Sequence, residues 1–316
     1  MTRALDGHEV RGSRHVLDVS TVDDRTEVLS VMVHSPVGSR ELGRLKNLRM
    51  IATRSTGFDH IDLRGAKKRG ITVSNVPAYG SNTVAEHTFA LILSLTRKVH
   101  VAYMRTMHGE FDLMGLMGSD LMGKTLGVVG AGKIGQHVVR IGKGFGMRVV
   151  AFDPFADAHL GEVLGFEMLA FEELLRRSDI VALCCPLTDA TRHLMDRAAF
   201  SRMKKGSMLI NTARGAVVDA GALLWALSEG IVGGAGLDVL EDEEVMPEDA
   251  LVAEIASKRG RARIEQIAEN LALMRHPNVV VTPHMAFYSR EALRRILETT
   301  AANIRAFAAG SPINVV

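Results

Sequence analysis

Two doubly wound α/β domains are predicted for this chain, on three observations. Short apolar runs alternate with segments apolar at helical spacing along most of the length, the signature of βαβ units and parallel sheets. The chain has 316 residues, more than one ordinary core holds. Residues 126–135 join an apolar strand, a glycine-rich turn and the start of a helix.

Candidate strands fall at 16–19, 29–33, 50–53 and 72–73, then at 125–129, 148–152, 180–184, 207–210, 234–237 and 279–282. Continuous apolar runs such as 126–129 suit strands covered on both faces. Segments 171–177 and 220–229 carry helical periodicity between them. Thr83 with Glu86 resembles a capping box, and Val84, Phe89, Leu91, Ile92 and Leu95 follow at roughly helical spacing. This helix is expected to connect the two domains, and a final helix at 290–309 to carry the chain back to the first. The acidic stretch 241–249, with the basic-apolar helix after it to about Arg275, reads as an excursion between two strands. Most of its charges read as a solvated face.

Apolar residues make up 47% and charged residues 23%, enough to bury a sizeable core. The net charge of +2 implies no strong field for nucleic acid or membrane, and neither partner is expected. The start of the chain lacks the long apolar stretch of a signal peptide, and no run approaches bilayer-spanning length. The two cysteines, Cys184 and Cys185, are adjacent, and neighbours rarely bridge. A reduced, cytoplasmic setting is expected.

Gly130, Gly132 and Gly135 form GxGxxG between a strand and a helix. The first glycine permits a tight turn, the second lets backbone approach a pyrophosphate, and the third lets helix and strand pack closely. The helix N-terminus offers free N–H groups and partial positive charge to phosphates. Asp153 ends the next strand, roughly 20 residues on, where a carboxylate meets the adenosine ribose hydroxyls and repels a 2′-phosphate. NAD is therefore expected rather than NADP.

Reducing a keto acid by hydride transfer needs a cation for the carboxylate, a proton donor for the developing alkoxide, and a group that tunes the donor. Arg214, Glu243 and His284 each follow a predicted strand, and the carboxyl ends of parallel strands are where open α/β sheets bind ligands. Alone, each would read as a solvated or satisfied side chain. Their joint placement beside a dinucleotide motif is the signal.

These residues carry a resemblance. Stretches 53–62 (TRSTGFDHID), 75–87 (NVPAYGSNTVAEH), the glycine motif, 211–215 (NTARG), 237–243 (LDVLEDE) and 282–284 (TPH) resemble the D-2-hydroxyacid dehydrogenases, most of all their D-lactate dehydrogenase branch. The resemblance runs from about Leu42 to the C-terminus. It implies a Rossmann-type NAD domain at 98–285 and a flavodoxin-like substrate domain at 1–97 with 286–316. That family usually opens with an apolar strand and a helix, and the first residues here are polar, so the first strand of the substrate domain is expected to be missing. His284 would be the general acid–base, Glu243 its carboxylate partner, and Arg214 the anchor for substrate carboxylate and carbonyl. The chemistry suits these roles: histidine changes charge near neutral pH, and arginine grips a carboxylate through a planar fork that lysine lacks.

The resemblance also places Lys133, Ile134, Asp153, Cys185, Pro186, Thr191, Thr212, Ala213 and Asp238 around NAD, beside the three glycines. The backbone of Ser55, Thr56 and Gly57 would meet the substrate carboxylate, and Tyr79 and Tyr288 would shape the pocket. No metal site is expected. A homodimer is implied, with the apolar segment 99–121 suited either to an arm over a partner or to ordinary core. Pyruvate and D-lactate are the expected pair. The alternatives are another 2-hydroxy acid (glycerate, 2-hydroxyisocaproate or phosphoglycerate) or an NAD-sensing, corepressor-like binding protein.

Overall fold

The first paired strands are β1 (Val28–Val31), β2 (Met50–Thr53) and β3 (Thr72–Ser74), all parallel in the order β1-β2-β3. The computed structural model describes residues 5, 7–13, 16–157, 159–243 and 261–316. β2 is buried along its whole length because both its faces are covered. Leu29, Val31, Ile51 and Val73 meet Leu42 and Leu45 on one side, while Met50 and Ala52 meet Ala301 and Ile304 of the last helix, Arg290–Ala308, on the other. Among the described residues this sheet has three strands. The strand expected at 16–19 does not form. Asp18 instead accepts a hydrogen bond from Ser20 N–H and caps a 3-10 turn at Val19–Thr21.

The larger sheet holds β4 (Thr125–Val129), β5 (Arg148–Phe152), β6 (Glu167–Met168), β7 (Ile180–Leu183), β8 (Ser207–Asn211), β9 (Val232–Leu237) and β10 (Val279–Val281). Its order is β10-β9-β8-β7-β4-β5-β6, every pair parallel. The chain runs outward from β4 to β6, then returns to the other side of β4 with β7. That reversal is the switch point beside which such sheets bind ligands. Leu174, Leu175, Phe200 and Leu223 cover one face. Helices Ser81–Arg97 and Lys133–Gly144 cover the other through Ala85, Phe89, Ile92, Val138 and Val139.

Contacts divide the chain into residues 1–80 with 288–316, and residues 81–287. The helix Ser81–Arg97, expected as a connector ending the first domain at 97, is core of the larger unit. Phe89 stacks on Phe145 at 5.4 Å, and Leu91 and Leu95 pack over Gly236 of β9. The segment at 99–121 is largely surface. Helix Val99–Met107 buries no residue, and Phe111, Leu113, Met114 and Met117 are exposed. The acidic excursion lies partly outside the described residues. Within them Glu241 is 15% exposed and ion-paired rather than a solvated charge.

Candidate active site

Each glycine of the motif has a different physical reason. Gly130 has φ +98, and a Cβ there would lie 2.8 Å from the Cys184–Cys185 peptide, so the turn closes only with glycine. A Cβ on Gly135 would lie 2.0 Å from the Gly130 carbonyl, which fixes how closely helix Lys133–Gly144 meets β4. Gly132 has extended backbone, and a Cβ there would meet no protein atom within 4 Å. The protein itself does not require that glycine. A phosphate seated on the helix N-terminus would. Asp153 closes the turn by accepting hydrogen bonds from Ala131 N–H at 2.8 Å and Phe155 N–H at 2.9 Å.

The remaining expected NAD residues lie at the start of helix Lys133–Gly144 and after β7, β8 and β9. Lys133 is exposed, Ile134 is half-buried, and Cys185 and Ala213 are buried. Thr191 Oγ1 donates to Pro186 O at 2.6 Å and accepts from Thr188 N–H at 2.7 Å, closing the loop after β7. Thr212 Oγ1 meets Thr88 Oγ1 at 2.9 Å. Burial pushes the Cys184 thiol up to about 12 and the Cys185 thiol to about 11, so both stay protonated and unreactive near neutral pH. A dinucleotide fits these residues: an open second glycine, a helix N-terminus and a carboxylate at the end of β5.

Glu243 and His284 follow β9 and β10, three and four strands from β4 in the sheet order. His284 Nδ1 lies 2.5 Å from Glu243 Oε1. A carboxylate only accepts, so Nδ1 carries the hydrogen. Glu243 Oε2 accepts from Leu240 N–H at 3.2 Å. Asp238, 1% exposed, holds the turn bearing His284, accepting from Thr282 Oγ1 at 2.6 Å and from the Met285 and Ala286 N–H groups at 2.9 Å. Burial pushes the Asp238 carboxyl up. Hydrogen bonds from His87, Thr282, Ala286 and Met285 outweigh it and hold the group below the usual carboxylate range. His284 itself has left-handed backbone at φ +51, a conformation this bracing sustains.

Arg214 follows β8. Asn211 at the end of that strand, 1% exposed, donates Nδ2–H to Arg214 O at 2.9 Å and accepts Ala213 N–H at 3.0 Å. A Cβ on Gly215 would lie 2.0 Å from the Leu240 carbonyl carbon, so the Arg214 turn and the Glu243 loop press directly together.

The expected substrate residues 55–57, Tyr79 and Tyr288 belong to the smaller unit. Ser55 Oγ donates to Gly57 O at 2.6 Å, and Thr56 Oγ1 donates to Val76 O at 2.8 Å. Among the described residues the N–H groups of Ser55, Thr56 and Gly57 donate to no protein acceptor. A run of such N–H groups suits an anion. Tyr79 O accepts from Arg295 Nε, and Tyr288 is exposed.

Sequence reasoning missed His87, Asn211, Asn270 and Glu241. His87 and Asn211 lie inside motifs that were visible. Glu241 was hidden in a run of acids, and Asn270 in a helix read as solvated.

This sheet order, glycine turn and histidine–carboxylate pair define a dinucleotide-dependent oxidoreductase. The chain belongs to the D-isomer specific 2-hydroxyacid dehydrogenase family, whose NAD binding domain matches residues 89–286. It is 40% identical over 306 residues to "2-hydroxyacid dehydrogenase homolog 1" of Schizosaccharomyces pombe, covering 95% of this chain and 89% of that one. It is 40% identical over 281 residues to a D-lactate dehydrogenase of Escherichia coli, covering 88% and 82%. The structure resembles a D-lactate dehydrogenase of Aquifex aeolicus complexed with NAD and lactic acid. The TM-score is 0.81 and the identity 38%, over 92% of this chain and 87% of that one. The protein is an NAD-dependent oxidoreductase of 2-hydroxy acids, and no helix among its described residues is long and apolar enough to cross a membrane.

Proposed function

We propose that the protein interconverts pyruvate and D-lactate, with His284 as general acid–base, Glu243 as its orienting carboxylate and Arg214 as the substrate anchor. The observation that carries this reading is the 2.5 Å contact between His284 Nδ1 and Glu243, on a turn held by buried Asp238. The nicotinamide, when bound, supplies or accepts the hydride at C2 of the acid. In reduction, His284 Nε2–H donates its proton to the carbonyl oxygen. In oxidation, Nε2 takes that proton back from the hydroxyl. Glu243 keeps the ring in the tautomer this needs and balances the imidazolium charge. The Arg214 fork holds the carboxylate and carbonyl at attack geometry. The D-lactate dehydrogenases of Escherichia coli and Aquifex aeolicus support pyruvate over a bulkier acid.

A panel of 2-oxo acids with NADH and NADPH tests this. Pyruvate with NADH is expected to give the highest kcat/KM. A bulkier or phosphorylated acid turned over well while pyruvate is not would remove the lactate assignment and keep the family chemistry.

Two coarser features follow the same reading. The adjacent free cysteines support a reduced, cytoplasmic setting. The exposed apolar segment at 99–121 supports a homodimer formed through the larger unit. Light scattering is expected to give twice the chain mass of 34.3 kDa, and a mass of one chain at micromolar concentration would exclude the dimer.

A further inference from the structure

The loop after β9 is fixed by more than its contact with His284. Glu241, two residues before Glu243, has a side chain 15% exposed and uses both carboxylate oxygens. Oε1 accepts from Arg192 Nη1 at 2.7 Å, and Oε2 faces His193 Nε2 at 2.7 Å. The Glu241 carbonyl accepts from Nδ2–H of Asn270, a fully buried side chain on helix Arg261–Arg275, at 2.7 Å. Gly215 lies against the Leu240–Glu241 peptide on the remaining side. Asp242 has φ +55, which turns the Glu241 and Glu243 side chains toward different partners. His193 has φ +50, also left-handed, and its N–H donates to Ala216 O at 2.8 Å. A non-glycine residue keeps that conformation when its surroundings over-determine it.

We propose that Glu241 is a positioning residue: it ties the loop that follows β7 to the loop that follows β9, and so sets the orientation in which Glu243 meets His284. The proposal rests on the acid–base reading of those two residues. Its basis is geometric. Arg192 is about half exposed, and an ion pair of that kind adds little to stability. Orientation matters far more, since a misplacement of about 1 Å can cost about a hundredfold in rate. The loop after β7 has its own closure through Thr191, Thr188 and Pro186, so it keeps its shape without Glu241. The loop carrying Glu243 is tied internally by the 3.2 Å contact between Leu240 N–H and Glu243. Loss of Glu241 therefore touches proton transfer before it touches dinucleotide binding.

The test uses Glu241→Ala and Glu241→Gln in the full chain, assayed with NADH and the best 2-oxo acid of the panel. NADH affinity is read separately from its fluorescence. Glu241→Ala is expected to lower kcat by about tenfold to a hundredfold. The NADH Kd should stay within about threefold of the unsubstituted protein. Glu241→Gln, which keeps an oxygen for Arg192, is expected to restore most of the lost kcat. The proposal is overturned by a kcat for Glu241→Ala within about twofold of the original, by an equal loss of NADH affinity, or by a glutamine variant no better than alanine. If Glu241→Ala does not fold, Arg192→Met carries the test, and an unchanged kcat in it overturns the proposal. Inactive His284→Ala together with unaffected Glu241→Ala would remove this proposal alone. An active His284→Ala would remove the acid–base reading beneath it.

Discussion

Two histidine–carboxylate pairs lie at the carboxyl ends of β9 and β10, and they are built differently. In one, Asp238 is 1% exposed and spends its oxygens on Thr282, Met285 N–H and Ala286 N–H, with His87 Nε2 at 3.3 Å. In the other, Glu243 accepts from Leu240 N–H and meets His284 Nδ1 at 2.5 Å, and its side chain stays 25% exposed. The first pair is a brace whose carboxylate is committed to backbone and neighbouring side chains. The second, in the proposed reading, orients an imidazole for proton exchange. Proximity of imidazole and carboxylate does not make a proton-transfer pair. What the carboxylate is otherwise bonded to decides which it is.

That contrast can be broken by substitution. Asp238→Asn replaces an acceptor of several hydrogen bonds with a group that can accept only part of them. It is expected to cost about 2–4 kcal/mol of stability, read from denaturant unfolding. Activity would fall with it, because the His284 turn loosens. A stability within about 0.5 kcal/mol of the original would mean the brace is not one.

Glu243→Gln is expected to do the reverse. It keeps an acceptor for Nδ1–H and removes the charge that balances the imidazolium, so kcat should fall on the order of tenfold to a hundredfold. Unfolding free energy should change by less than about 0.5 kcal/mol. A large stability loss with kcat intact would exchange the roles assigned to the two pairs.

The smallest effect is in acid. The Asp238 carboxyl is held below its ordinary value in the folded state. Its contribution to stability is present above the unfolded value of about 4 and is lost as pH falls through the lower, folded value. Melting temperature followed from pH 7 downward should therefore drop more steeply in the original protein than in Asp238→Asn. Parallel curves would count against the depressed carboxyl.

The sequence made the strand ends legible because the strands are apolar runs that stop abruptly. Leu126 to Val129 ends at Gly130, and the runs before Arg214, Glu243 and His284 end in the same way. The glycine motif was legible because Gly130 and Gly135 answer local steric needs and Gly132 completes the spacing. The mistaken strand at 16–19 came from Val16, Leu17 and Val19, whose apolar character is real, while Asp18 among them caps a turn. β6 has two residues, too short for any period. The Asp238 brace was not legible, because two of its partners are backbone N–H groups 47 and 48 residues away and no side chain at 285 or 286 announces them. Glu241 was not legible either, since a carboxylate in an acidic run looks solvated until Arg192 and His193 are folded against it.

In the proposed reading, separate residues of the larger unit carry dinucleotide binding and proton transfer. His284→Ala, measured for NADH binding and for single-turnover NADH oxidation on the same preparation, tests this most directly. NADH affinity should remain within about threefold of the original while turnover slows on the order of a thousandfold. Turnover within about tenfold of the original, or NADH binding lost as fully as turnover, would contradict it.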